Sequence, residues 1–157
     1  MTKQTTIPPP AEDWLELDRQ LCFALYSASL AMTKMYKPIL SELGLTYPQY
    51  LVMLVLWQQS GITISDLGGK LKLDSGTLTP LLKRLEAAGY VHRERDTDDE
   101  RRVLVRLTQS GRNLRQAAAG IPEEILCATQ CSLEEIQSLT KRLQDLRSTL
   151  EVARAED

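Results

Sequence analysis

The residues of this 157-residue chain that could do redox chemistry are three cysteines, Cys22, Cys127 and Cys131. A cysteine thiolate is the form that peroxides oxidise, and an oxidised cysteine can condense with a second thiol to form a disulfide. Cys127 and Cys131 are spaced so that they could share one helix face. Cys131 also directly precedes Ser132, which opens an S-x-x-E helix start, and we interpret it as a packing residue there. A free cysteine is a common small core residue, and the pattern alone favours that interpretation for Cys22.

Patterns typical of metal, cofactor or phosphate sites are missing from the sequence. The single histidine, His92, stands at the start of a predicted strand, and no CxxC pair, histidine cluster or pair of carboxylates indicates a metal. There is no glycine-rich phosphate loop either. We therefore expect neither a metal nor a cofactor.

Neither a signal peptide nor an apolar run approaching the roughly 18 residues of a membrane span is found in the sequence. We therefore expect a cytoplasmic protein with no membrane partner. Structural disulfides are rare in that reducing compartment, so each cysteine needs an explanation of its own.

Positive charge is concentrated in one segment of an otherwise acidic chain. The segment from Lys70 to Arg115 contains eleven Lys and Arg against seven Asp and Glu, whereas the whole chain carries a net charge of −2. A local basic block of this kind is typical of an anion-binding surface, although surface charge is more often only solvation.

The elements that must position these residues are predicted to be mostly helical, with a small β-wing. Capping boxes beginning at Thr46 and Thr63 predict short helices near 48–59 and 64–71. Asp74 caps a third helix, from Ser75 to Ala88, which Gly89 ends. The short β-type runs 90–93 and 103–107 flank a charged loop and predict a hairpin. Three short helices followed by a charged ribbon form the order of a winged helix-turn-helix.

The helix from Ser75 to Ala88 is the predicted recognition helix. Its leucines, Leu78, Leu81, Leu82 and Leu85, fall on one face, as expected for a stripe that packs on a core. The other face suits a DNA groove, because small residues allow close backbone approach and cations can meet phosphate. An ordinary amphipathic helix with a solvated polar face is the alternative. The predicted DNA-contacting residues of this helix are Ser75, Gly76, Thr77, Thr79, Pro80, Lys83 and Arg84.

The predicted wing carries further cations, and acids lie between them. Acidic residues at 98–100 are unexpected in a DNA-contacting loop unless a carboxylate orients one guanidinium for insertion into the minor groove. A solvated charged turn is the alternative, and the loop on its own favours it. The wing cations are Arg93, Arg95, Arg101, Arg102 and Arg106.

Helices on both sides of the winged region are predicted to form a dimer. A helix from about Asp13 to Tyr36, ended by Pro38, is apolar on both faces, which burial between subunits explains better than one small core. Thr108 starts a helix that breaks at Pro122, and Ser132 opens a final amphipathic helix. We predict a single domain, 1–157, with dimerisation helices at 11–40 and 109–153 and a DNA-binding region at 46–108.

Over nearly its whole length the chain resembles the MarR family of winged-helix repressors. Three stretches carry the resemblance: LTYPQYLVMLVLW (45–57), LKLDSGTLTPLLKRLEAAGYVHRERDTDDERRVLVRLTQSG (71–111) and LDRQLCFALYSASLAMTKMYKPIL (17–40). The last, with Cys22, is similar to the organic hydroperoxide sensors of the OhrR type, and Cys127 suggests their two-cysteine subclass. The resemblance implies a homodimer on a palindromic operator in double-stranded DNA, with an organic hydroperoxide as effector.

Residue by residue, the resemblance places the peroxidatic thiol on Cys22 and thiolate hydrogen-bond donors on Tyr36 and Tyr47. Because Cys131 is interpreted as a packing residue, Cys127 is the expected resolving thiol. It also places a D-x-R wing motif on Asp99 and Arg101. On the predicted helix Cys22 lies in the third turn, too deep for a strong helix-dipole effect, so the phenolic donors are needed. Tyr36 lies fourteen residues further along, about 21 Å away, and can reach only the partner subunit's Cys22. Cys22 and Cys127 lie on different helices, one towards each end of the chain, which an interlocked dimer would bring together across the subunit boundary. We therefore expect the implied disulfide to be intersubunit.

The leading hypothesis is a repressor that responds to organic hydroperoxides through cysteine oxidation. A repressor released by a phenolic or other small ligand, with Cys22 only packing, is the alternative among DNA-binding proteins, and sensitivity to reductant would separate the two. A thiol peroxidase is the alternative from another class. A peroxidase needs neither a recognition helix nor a wing, so we expect no enzymatic activity.

Overall fold

The computed structural model describes residues 12–155. Their packing divides the chain into two compact units, one ending at Tyr47 and one beginning at Pro48. The prediction of a mostly helical fold with a small antiparallel sheet is confirmed. Two single-turn 3-10 helices, Glu12–Leu15 and Leu17–Arg19, precede α1 (Leu21–Glu42), α2 (Tyr47–Gln58), β1 (Ile62–Thr63), α3 (Ile64–Leu71), α4 (Ser75–Ala87), β2 (Val91–Arg95), β3 (Val103–Leu107), α5 (Gln109–Ala118), α6 (Ile121–Thr129) and α7 (Leu133–Ala155).

Both predicted ends of the first long helix are wrong. The 3-10 turns and an extended Gln20 delay the start of α1 to Leu21, and Pro38 lies inside the helix. The stop signal is Gly44, whose φ of 68° is the left-handed conformation that favours glycine. The Gly44 N–H donates to the Ser41 carbonyl, and the Leu45 N–H donates to that of Leu40, at 3.1 and 3.0 Å. These two bonds satisfy carbonyls of the last turn, and the helix ends at Glu42, four residues beyond Pro38.

The two longest helices expose most of their large apolar side chains. Leu40 is the only buried residue of α1, and α7 has none. The exposed apolar residues of these helices are Leu21, Leu25, Tyr26, Leu30, Met32, Met35, Leu133, Leu139, Leu143, Leu150 and Val152. Among the described residues no single helix is long and apolar enough to cross a membrane, although α1 and α2 as a bent pair satisfy the same test of length and composition.

The core of the second unit lies between α2, α3, α4 and the sheet. Val52, Met53 and Leu56 of α2 are at most 1% exposed. The strand order is β1-β3-β2, with Ile62 opposite Val105 and Arg93 also opposite Val105 across antiparallel ladders. The predicted hairpin is therefore present. The two-residue strand β1, which completes the sheet, is absent from the sequence prediction.

Capping side chains fix the starts of the short helices where the sequence predicted them. The Thr63 hydroxyl accepts the Asp66 N–H at 3.0 Å, and the Asp74 carboxylate accepts the Thr77 N–H at 2.7 Å. A break near Pro122 is also present, because α5 ends at Ala118 and α6 begins at Ile121. Each cap satisfies one backbone donor that the helix itself leaves unpaired.

One glycine allows α5 to pack closely on the chain segment before β2. The Trp57 Nε1–H donates to the Gly111 carbonyl at 2.9 Å, and the Thr108 N–H donates to the Tyr90 carbonyl at 3.0 Å. A Cβ atom on Gly111 would lie only 2.1 Å from the Tyr90 carbonyl oxygen. Only glycine permits this approach of two backbones.

Replacing Gly111 with alanine should destabilise the fold, because the methyl group would force the two backbones apart. We expect the free energy of unfolding to fall by about 2 kcal/mol, as in other overpacked sites. Gly69→Ala in α3 is the matched control, since no atom lies within 4 Å of its Cβ position, and it should be neutral or stabilising by about 0.5–1 kcal/mol. Urea unfolding at one protein concentration measures both, and a Gly111→Ala variant as stable as wild type would contradict the packing described.

Candidate functional site

The outer face of α4 is exposed, as the sequence predicted. Leu78, Leu82 and Leu85 are 0% exposed, so the opposite face of the helix points to solvent. Hydrogen bonds from Thr77 hold the pKa of the Asp74 carboxyl below its ordinary value and keep it a charged cap. Thr79 is half-buried, and the other predicted contact residues of this helix are exposed: Ser75, Gly76, Thr77, Pro80, Lys83 and Arg84.

At the tip of the wing an aspartate orients an arginine. The Arg101 guanidinium donates to both carboxylate oxygens of Asp99, at 3.0 and 3.2 Å, and the Arg101 N–H donates to the same group at 3.1 Å. The Arg101 side chain is nevertheless 91% exposed. These hydrogen bonds lower the pKa of Asp99 from its ordinary value. The result is a guanidinium that is held in place and still available to a ligand, as the hypothesis for this loop requires.

The other wing arginines differ in whether they are paired. Arg102 lies 3.7 Å from Asp96, and Arg106 forms an ion pair with Glu94. His92 also approaches Glu94, at 3.5 Å. Within the described part of the chain, no ion pair involves Arg95, Lys83 or Arg84. These three cations lie on α4 and at the end of β2, where a polyanion could bind them.

Arg93 has a partner that the sequence analysis missed. Its guanidinium donates to Glu86 Oε2, at 2.7 Å from one terminal nitrogen and 3.1 Å from Nε, and its backbone N–H donates to Glu86 Oε1 at 3.0 Å. Both side chains are about one third exposed or less, 26% for Arg93 and 35% for Glu86. Glu86 belongs to α4 and Arg93 to β2, so the pair joins the predicted recognition helix to the wing.

The structure corrects the expected position of Cys22. Because α1 begins at Leu21, the thiol belongs to the first turn of the helix and not to its third. The first turn is where the unpaired N–H groups and the helix dipole favour negative charge. Cys22 is exposed.

Two tyrosines of the first unit, both predicted as thiolate hydrogen-bond donors, lie close to each other. The ring centroids of Tyr36 and Tyr47 are 4.8 Å apart. Burial raises the pKa of the Tyr47 phenol, so the hydroxyl keeps its proton and can donate it in a hydrogen bond. Along α1 the fourteen residues between Cys22 and Tyr36 correspond to about 21 Å, so this pair does not include the thiol of its own chain.

The remaining cysteines are exposed as well. Cys127 lies in α6, which ends at Thr129, and Gln130 then takes a left-handed φ of 57°. Cys127 and Cys131 therefore do not share a helix face. The Cys131 thiol donates to the Thr129 carbonyl at 3.5 Å, and its exposure contradicts the packing role expected for it. Between residues 12 and 155 no group of three His, Cys, Asp or Glu side chains is placed to hold a metal ion.

Comparison with known proteins gives four consistent matches. Residues 34–118 match the model of the transcriptional regulator SarA/Rot family. The chain is 47% identical over 138 residues to the organic hydroperoxide resistance transcriptional regulator of Bacillus subtilis, covering 88% of this chain and 94% of the relative. Reduced AbfR bound to DNA is 34% identical with a TM-score of 0.75, covering 89% of this chain and 96% of AbfR, a protein of Staphylococcus epidermidis. AbfR with a disulfide formed is 37% identical with a TM-score of 0.60, covering 85% and 94%.

The Asp99 carboxyl should titrate below its ordinary range because Arg101 hydrogen-bonds its charged form. The pair is then fully formed above that lowered pKa and is lost as the pH falls through it. Arg101→Ala should return the pKa of Asp99 towards its ordinary value of 3.8, whereas Lys83→Ala should leave it unchanged. NMR titration of the Asp99 carboxyl carbon measures this, and an unaltered titration in Arg101→Ala would show that the arginine is not held by Asp99 in solution.

Proposed function

The chain belongs to the MarR/SarA-type winged-helix transcriptional regulators, and on this premise we propose that it is a homodimeric repressor released from its operator by organic hydroperoxides. The observation that carries the proposal is the exposed cationic face of α4 beside an arginine that Asp99 holds at the wing tip. A helix face suits the major groove and an inserted guanidinium suits the minor groove.

On DNA, the exposed end and outer face of α4 would read base edges and phosphates in the major groove. Lys83 and Arg84 are the cations placed to meet phosphate, and Ser75, Gly76 and Thr77 bring the helix start close to the backbone. Arg101 would enter the minor groove with less loss of side-chain freedom than an unrestrained arginine, because Asp99 already limits its rotamers. Contacts by Arg95 and Arg102 complete the proposed interface.

A homodimer is supported by the apolar residues that a single chain leaves exposed on α1 and α7. Surfaces of this kind mark protein interfaces. In this proposal residues 11–40 and 109–153 form the dimerisation helices, residues 46–108 bind DNA, and the whole chain works as one domain. A palindromic operator follows, since a twofold dimer presents two identical recognition helices about 34–36 Å apart.

The proposed sensing step is oxidation of the Cys22 thiolate. The sulfur attacks the terminal oxygen of a hydroperoxide, the O–O bond breaks, and Cys22 becomes a sulfenic acid while the alkoxide leaves and takes up a proton as the alcohol. Tyr36 and Tyr47 of the partner subunit would stabilise the thiolate by hydrogen bonding. The thiol of Cys127 from the other subunit then displaces water from the sulfenic acid, forming an intersubunit disulfide.

The disulfide gives a physical route to release. It requires two Cα atoms within about 7 Å, so forming it can displace the terminal helices that carry the two cysteines. A displacement at the dimer interface changes the distance between the two copies of α4. The operator can bind both copies only when that distance matches the spacing of its half-sites. The relative named for organic hydroperoxide resistance, and AbfR solved both reduced on DNA and with a disulfide, favour this redox effector over a phenolic ligand.

Lys83→Ala should reduce the salt dependence of DNA binding. Counterion release makes the logarithm of affinity fall with log salt by about 0.9 per neutralised phosphate, so losing one contact should lower the slope by about one. Lys141→Ala, at another exposed lysine, on α7, is the control and should leave the slope unchanged. Fluorescence anisotropy with a duplex selected by the wild-type protein from random-sequence DNA measures both. Equal slopes for wild type and Lys83→Ala would show that α4 is not part of the DNA interface.

Cys22→Ser should bind the operator like wild type and fail to release it when an organic hydroperoxide is added, because a hydroxyl is not a peroxide-reactive nucleophile. On a non-reducing denaturing gel, peroxide-treated wild type and Cys131→Ser should run as covalent dimers, and Cys22→Ser and Cys127→Ser as monomers. A dimer that survives in Cys127→Ser and disappears in Cys131→Ser would reassign the resolving thiol. A wild type that stays monomeric would refute the intersubunit disulfide.

A further inference from the structure

We infer that Glu86 is a positioning residue for DNA recognition, whose carboxylate holds the wing against the C-terminal end of α4 and thereby sets where Arg101 lies relative to the recognition helix. This rests on the proposed function, in which α4 and the wing bind one DNA site together. It also gives Arg93 a different role from the DNA contact predicted for it.

The Glu86 carboxylate makes three hydrogen bonds to one residue of the wing. Glu86 accepts the backbone N–H of Arg93 on Oε1 and two guanidinium nitrogens on Oε2, at 3.0, 2.7 and 3.1 Å. A single ion pair between mobile side chains defines little geometry, whereas a bond to the backbone fixes the strand itself. The hydrogen bonds from Arg93 lower the pKa of Glu86, so the carboxylate stays charged at neutral pH.

The backbone N–H of Arg93 points towards Glu86 and away from the sheet. Along β2 the ladder bonds to β3 involve alternate residues: the Thr108 N–H donates to Tyr90 and the Asp96 N–H donates to Arg102, at 3.0 and 2.9 Å. Arg93 is an odd number of residues from both Tyr90 and Asp96, so its N–H points away from β3. Since β2 is an edge strand, that donor has no strand to bind, and Glu86 is its partner.

Glu86 lies at a position in α4 where it does not stabilise the helix. It is the penultimate residue of the helix, which ends at Ala87. A carboxylate there is unfavourable for the helix itself, because the helix C-terminus carries partial negative charge. The residue therefore contributes through its bonds to β2 rather than through helix stability.

The bonds to Glu86 also offset the positive charge of Arg93. Its guanidinium is directed to Glu86 and is only 26% exposed, in contrast to the 91% of Arg101. The Glu86–Arg93 pair is therefore close to neutral as seen by DNA. Replacing both side chains, in Glu86→Ala/Arg93→Ala, leaves the local net charge unchanged and should weaken operator binding without changing the salt slope, whereas a lost phosphate contact would lower the slope by about one.

Hydrogen exchange tests the bond without DNA. In Glu86→Ala the Arg93 amide should exchange about tenfold faster than in wild type, while the Glu94 amide, which faces β3, should not change. Glu86→Gln keeps an acceptor for the N–H and should fall between the two. An Arg93 amide that exchanges equally in wild type and Glu86→Ala would overturn the inference.

A double-mutant cycle tests the consequence for recognition. Arg101→Ala should weaken binding of the selected duplex about tenfold in wild type and by clearly less in Glu86→Ala, because the wing is no longer held in register. Lys83→Ala, on α4 itself, should lower the affinity for the duplex by the same factor in both backgrounds. If wild type binds DNA and Arg101→Ala lowers the affinity by the same factor in both backgrounds, the inference fails and the proposed function stands. If wild type binds no duplex, both the proposed function and the positioning role fail, whatever the exchange data show.

Discussion

Burial of one leucine face of α4 is the constraint on which the proposed DNA-reading surface depends. Leu78, Leu82 and Leu85 are fully buried, and each such side chain contributes about 1.5–3 kcal/mol relative to an exposed one. Turning the helix about its axis would lose that energy, so its outer face has one orientation only. The exposure of Lys83 and Arg84 follows from the packing of residues that never meet a ligand.

Acidic side chains beside this surface restrain arginines rather than repel DNA. Asp99 holds Arg101 at the wing tip, and Glu86 holds Arg93 at the base of the wing. The two pairs differ in exposure. The Asp99–Arg101 pair leaves the Arg101 guanidinium exposed and available to a ligand, whereas the Glu86–Arg93 pair directs the Arg93 guanidinium to Glu86. An acidic loop inside a basic segment is in this way compatible with a polyanionic partner.

Local signals in the sequence predicted much of this arrangement. Capping at Thr63 and Asp74 depends on residues three positions apart, and the leucine stripe of α4 depends on helix period alone, so both can be deduced from the sequence. The start of α1 and its passage through Pro38 could not be deduced, because the competing signals at Gln20 and Gly44 are decided by the packed structure. The strand β1 and the partner of Arg93 need contacts between distant segments, which the sequence pattern does not specify. The position of Cys22 in the first turn could not be deduced either, because it depends on where α1 begins.

The open edge of the sheet has a further consequence, for contact with other chains. An edge strand with unpaired backbone donors is a template for strand addition, the first step in β-aggregation. In this sheet the β2 edge reads VHRER, with charged residues at three of five positions, and the N–H of Arg93 already has a carboxylate partner. An incoming strand would have to displace Glu86 and desolvate these charges. The contact that orients the wing therefore also shields the β2 edge from amyloid-like pairing.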